Sequence, residues 1–183
     1  MAEYDDILTT MTGNRRQYSR VGACVPFAYR VISPQEACYM KSRTVSDAFL
    51  TDFNVMPNVE DQLYGEWLKL VNAKLDEIIR MLTLQRDGFS VLPFKPICIS
   101  GNGLSFLSPE CLGKGAIIEV KIVLTIIHAV ALFLYGEVVT VESAENGWRV
   151  GMQFIQMDDL VRDEIIRFVF EREREMIREK RGD

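Results

Sequence analysis

Three arginines, Arg15, Arg16 and Arg20, gather near the start of the chain around Tyr18, and Arg16 and Arg20 form an RxxxR pair. A guanidinium offers a rigid fork of donors. It can grip a phosphate or the O6/N7 edge of guanine with two bonds, and it can stack on a purine face. Two forks four positions apart in a short arm can converge on one compact ligand. Far along the chain stands Cys98-Ile99-Ser100-Gly101-Asn102-Gly103, which reads as a strand end followed by a tight glycine turn. The Ser100 hydroxyl can bond a ligand, and Gly103 can let the backbone approach it through a permissive φ. Taken singly, an RxxxR near a terminus is most often solvated and a Ser-Gly-Asn-Gly turn is most often a hairpin.

Catalytic chemistry has little to draw on. His128 is the only histidine, which nearly excludes Ser-His-Asp and Cys-His arrangements. There is no GxxxxGK[ST] loop, and the acidic pairs Asp5/Asp6 and Asp158/Asp159 read as tail and helix start. Cys24, Cys38, Cys98 and Cys111 form no CxxC pair, and with one histidine they give no zinc spacing. They are expected to be buried, reduced thiols in a cytoplasmic protein. No catalytic residue, metal site or cofactor is expected, so the protein reads as no enzyme. The net charge of -5 offers no general field for polymeric nucleic acid, so any phosphate site must be a local basic cluster.

The elements that must position these groups fit one domain of 183 residues, 48% apolar and 26% charged. Residues 1–14 read as a mobile leader without the apolar core of a signal peptide. Residues 21–32 read as a first strand, with Pro26 placing it near a sheet edge. Ser33-Pro34-Gln35-Glu36 carries the capping-box signature of a helix start, and that helix is expected to reach about Arg43. The structure of residues 44–58 stays open. From 89 onward the chain reads as β, with strands near 89–98, 103–107, 116–127, 130–142 and 148–157 and a hairpin signal at Asn146-Gly147. The apolar run Ile122–Tyr135 is too short for a membrane span and reads as two strands joined near His128. Residues 158–183 read as a helix whose charged end is solvated.

The strongest periodicity lies in residues 59–86. Tyr64, Leu68, Val71, Leu75, Ile78 and Leu82 recur at alternating spacings of four and three, the seam of a heptad helix. Trp67, Leu70, Ile79 and Met81 widen the apolar face beyond a narrow dimer seam. Such a helix must bury more than one side, against its own domain or against copies of itself. Gly88 is the expected stop.

Arg16 and Arg20, taken with Ser100 and Gly103, resemble the motifs of the PilZ domain, a bacterial receptor for cyclic di-GMP. That family carries RxxxR before its first strand and [D/N]xSxxG after its second. Cys98 stands where the family has Asp or Asn. Trp148-Arg149-Val150-Gly151-Met152-Gln153-Phe154 is similar to the family's late strand, ending in a Gly-x-x-Phe turn to the C-terminal helix. The resemblance implies an α+β fold that is mostly β: a six-stranded antiparallel barrel with a C-terminal helix. It divides one domain, 1–183, into an arm at 1–20, a helical insertion at 34–88, barrel strands at 89–157 and a helix at 158–183. The inserted heptad helix resembles the atypical, tetramer-forming PilZ branch. The resemblance further implies cyclic di-GMP as ligand, held by Arg15, Arg16, Arg20, Cys98, Ser100, Asn102 and Gly103. Association into a tetramer or dimer would use the seam of helix 59–86, and a downstream protein in motility, pilus or biofilm-type signalling would be the partner. Because a thiol is a weak donor and acceptor, Cys98 also admits the alternative of a scaffold that binds no nucleotide and acts through oligomerisation.

Overall fold

The computed structural model describes residues 19–45, 62–125 and 129–181. The leader, Arg15, Arg16, Tyr18, residues 46–61 and His128 lie outside the described residues. The order is β1 (Arg20–Ile32), α1 (Pro34–Ala37), β2 (Arg43–Thr44), α2 (Gln62–Arg86), a 3-10 turn (Phe89–Val91), β3 (Phe94–Ser100), β4 (Gly103–Ser108), β5 (Ile117–Thr125), β6 (Ala129–Ala144), β7 (Gly147–Ile155) and α3 (Asp159–Arg181).

Alternation of side chains builds the barrel. Val21, Ala23, Val25 and Phe27 on β1 point inward, as do Ile118, Val120, Ile122 and Leu124 on β5. All neighbouring strands run antiparallel in the order β2-β6-β5-β1-β3-β4-β7, and a β6–β7 pairing closes six of them into a barrel. The seventh, β2, adds only Arg43 and Thr44 alongside β6. Closure removes the unpaired edges that an open sheet would present. Inside, Phe27 and Phe106 lie 5.0 Å apart and Tyr29 stands 4.6 Å from Phe106. Val161, Ile165 and Phe168 of α3 plug this core and are almost fully buried.

Pro26 does not mark an edge. Residues 20–26 of β1 pair with β3, and residues 27–32 pair with β5. Pro26 sits where the strand changes partner, so the missing N–H falls at the handover and Phe27 N donates to the Pro93 carbonyl. The capping box forms: Ser33 Oγ accepts from Glu36 N, while Ser33 N donates to Glu36 Oε2. Yet α1 ends at Ala37 rather than near Arg43. Tyr39 N and Met40 N bond back to Glu36 and Ala37 carbonyls, a tightened final turn, and the chain then leaves to pair with β6.

Three of the four cysteines are exposed; only Cys98 is buried. Cys24 faces out because its neighbours Ala23 and Val25 take the inward positions. Cys38 and Cys111 lie beyond α1 and in the β4–β5 connection, outside the core. No disulfide joins any of them.

A second apolar cluster lies on the outer face of β5 and β6, where Phe133 and Tyr135 meet Ile32, Ala37, Val45 and Phe89. It fastens the segments between β1 and β3 to the barrel. Phe89 meets Phe133 edge-on at 5.0 Å. From α2 the cluster takes Leu84 in the last turn, beside the buried Thr83. The rest projects: Tyr64, Leu68, Val71, Leu75, Ile78 and Leu82 are 47 to 67% exposed. No described helix is long and apolar enough to cross a membrane.

Candidate functional site

The outer face of the barrel opposite the second cluster carries a groove of about 390 Å³. Its floor follows from strand register. Cys98 on β3 faces Ser105 on β4, Ser105 faces Gly151 on β7, and Gly151 faces Thr140 on β6. Gly22 on β1 continues this row on the other side of Cys98. Every member is small, so the row leaves a shallow, smooth bed for a flat ring.

One end of the groove is built by the glycine turn. Arg20 pairs with Ser100, Ser100 with Gly103, and Gly103 with Gln153. The Ser100 hydroxyl donates to the Gly103 carbonyl at 3.1 Å and keeps a lone pair for a ligand donor. Phe154 N donates to the Asn102 carbonyl at 2.9 Å, which pins the turn against β7. Gly103 is needed for space and not for an unusual φ. A β-carbon there would strike the Met152 carbonyl oxygen, whereas positive φ among the described glycines occurs at Gly88, Gly115 and Gly147.

The other end belongs to Arg149 and Glu142, directly opposite each other on β7 and β6. A bulge puts Glu142 there. The β6–β7 register shifts between Val138 and Thr140, so Val139 is the extra residue. Upstream, Val138 points into the core; downstream, Val141 takes the inward phase and Thr140 and Glu142 turn outward to the groove. A regular strand would have aimed Thr140 and Glu142 inward.

The structure therefore brings together Arg20, Cys98, Ser100, Asn102 and Gly103 of the expected ligand set. Arg15 and Arg16 lie outside the described residues. The groove adds Ser105, Thr140 and Glu142, which no local motif marked, and Arg149 and Gln153 from the Trp148–Phe154 stretch. Cys98 is 7% exposed, with its side chain at the floor, not at a rim. The Gly151–Phe154 stretch lies within β7, and the turn towards α3 comes after it, at Gln156 with φ 48°. Among the described residues, no cluster of metal-ligating side chains is present.

The fold is thus a closed antiparallel barrel plugged by a C-terminal helix, with an outer groove whose charged lining is Arg20, Arg149 and Glu142. Residues 86–171 match the PilZ domain family. The matched family is one of binding domains, with no catalytic family indicated. In fold, the chain is similar to a protein from Xanthomonas campestris described as a tetrameric PilZ domain self-assembled via an unusual helical bundle. The similarity spans 88% of this chain and 91% of that one, at 17% identity and a TM-score of 0.57. No curated protein matches the chain in sequence.

Proposed function

We propose that the protein is a cytoplasmic cyclic di-GMP receptor that couples nucleotide binding to a protein partner in motility, pilus or biofilm-type signalling. The observation that carries this reading is the convergence of Arg20 with Ser100, Asn102 and Gly103 at one end of the groove. Arg20 supplies a guanidinium for phosphate or guanine, Ser100 an acceptor, and Gly103 a close backbone approach. Ligand binding draws the basic arm 14–20 onto the barrel, adding Arg15 and Arg16 to the contact and changing the surface a partner meets. Copies assemble into a tetramer through the projecting face of α2, where Leu68, Val71, Leu75, Ile78 and Leu82 stay about half exposed among the described residues.

Isothermal titration at low salt tests the ligand. Saturable heat with cyclic di-GMP, lost in Arg16→Ala and in Arg20→Ala, is the expected result. Absence of heat at micromolar protein overturns the receptor reading. Cys98 in place of an acid or amide favours a second reading, in which the domain is an assembly scaffold that binds no nucleotide. Light scattering then finds a tetramer while the titration stays silent.

A further inference from the structure

We infer that Glu142 and Arg149 form the base-reading end of the groove, and that Glu142 replaces the missing acid at position 98 as the carboxylate that selects guanine. This rests on the receptor reading above and deepens it.

The observation is a carboxylate aimed into a groove that otherwise suits an anion. Next to phosphates such a group is unfavourable unless it meets donors. Guanine provides them: its N1–H and exocyclic N2–H₂ lie side by side and match the two oxygens of a carboxylate, while its O6 and N7 accept from a guanidinium. Adenine has an acceptor at N1 and no amino group at C2, so it leaves the carboxylate unsatisfied.

Glu142 and Arg149 face each other across β6 and β7, yet no ion pair joins them or ties either to another described residue. Both forks are open to a ligand. The bulge at Val139 is what turns Glu142 outward, and bulges of this kind re-aim side chains. Arg149 stands four residues along β7 from Gln153, roughly 13 Å at strand rise. The small row of Cys98, Ser105 and Gly151 lies between, so a base can rest on the floor with its edge at Glu142 while its phosphate reaches Arg20.

Titration of the full chain with cyclic di-GMP and cyclic di-AMP tests the assignment, with melting curves as the check on folding. The wild type is expected to prefer cyclic di-GMP. Glu142→Ala should weaken cyclic di-GMP roughly ten- to a hundredfold, leave cyclic di-AMP unchanged, and so narrow the preference; Glu142→Gln, which keeps one acceptor, should fall between. A Glu142→Ala variant that binds cyclic di-GMP as the wild type does, while Arg20→Ala does not bind, leaves the receptor standing and overturns the base-reading role. A wild type that binds neither nucleotide overturns both.

Discussion

Lys121 on β5 donates from Nζ to the backbone carbonyl of Asp87 at 2.6 Å, just past the last turn of α2. The same ammonium lies 5.8 Å from the Phe89 ring and 5.5 Å from the Phe133 ring. Gly88, at φ 77°, supplies the left-handed turn that exposes that carbonyl. One side chain thus ties the projecting helix to the barrel wall. Lys121→Met keeps the apolar stem and removes the bond and the cation–π contacts. It should cost about 1–3 kcal/mol. Hydrogen exchange should show lost protection at residues 83–91, with the barrel strands unchanged.

The exposed seam of α2 predicts the behaviour of Leu75→Asp and Ile78→Asp. Both positions are about half exposed in the single chain, 50% and 52%. A charge there costs the monomer little. In an assembly each would bury a carboxylate among apolar side chains, at several kcal/mol. Light scattering should report a smaller species for both variants, while circular dichroism keeps the barrel signal. A helix of 25 residues is about 37 Å long, enough for a multi-heptad interface.

What was legible in the sequence was local. The period of Leu68, Val71 and Leu75 belongs to one helix, and the Ser33–Glu36 box to one turn, so both can be read without knowing what lies nearby. Alternation along β1, which sets Phe27 inward and Cys24 outward, is local in the same way. The rest depends on register. Glu142 and Cys98 are 44 positions apart, and only the β3–β4, β4–β7 and β6–β7 pairings set them in one groove. The bulge at Val139 reverses the inside–outside phase of β6, which no composition rule announces. Gly103 was legible as a glycine that mattered, but its cause is the Met152 carbonyl on a distant strand. Pro26 signals an edge by propensity and instead marks a change of partner, because the two halves of β1 serve different neighbours.

Glu119 predicts the acid limb of stability. Its carboxylate is 5% exposed and accepts from Arg30 Nε at 2.7 Å, Arg30 Nη2 at 3.1 Å and Tyr135 Oη at 2.8 Å. Burial alone would push this carboxyl up, but the bonds from Arg30 and Tyr135 more than offset it and hold it below its ordinary 4.5. A carboxyl depressed in the folded state stabilises above its unfolded value and loses that contribution as pH falls through the folded one. Wild-type stability should therefore drop on acidification below pH 4.5. Glu119→Gln should flatten that limb and lower stability at neutral pH by about 1–3 kcal/mol, nearer the lower figure because Arg30 is half exposed. Denaturant titrations from pH 7 downward provide the comparison.

Gly103→Ala should destabilise by about 1–3 kcal/mol, because the new β-carbon meets backbone that cannot turn away. Relief requires the β4–β7 pair to open where the groove begins, so ligand affinity falls with stability. Gly113→Ala is the control. A β-carbon there has nothing within 4 Å and the backbone is not left-handed, so it should be neutral or slightly stabilising. Urea midpoints of the two variants should move apart.

Cys98→Asn should tighten cyclic di-GMP binding. The side chain at 98 stands on the groove floor between Gly22 and Ser105 in the cross-strand row. Two small neighbours leave room for an amide, which offers two donors and an acceptor in place of a weakly bonding thiol. One added polar contact to a base edge is worth about 1–3 kcal/mol, or roughly ten- to a hundredfold in affinity. If Glu142 already reads the guanine, the gain from Cys98→Asn should be smaller in wild type than in a Glu142→Ala background. The double-mutant cycle separates two readers of one edge from two independent contacts. Equal gains in both backgrounds would place the two residues on different parts of the ligand.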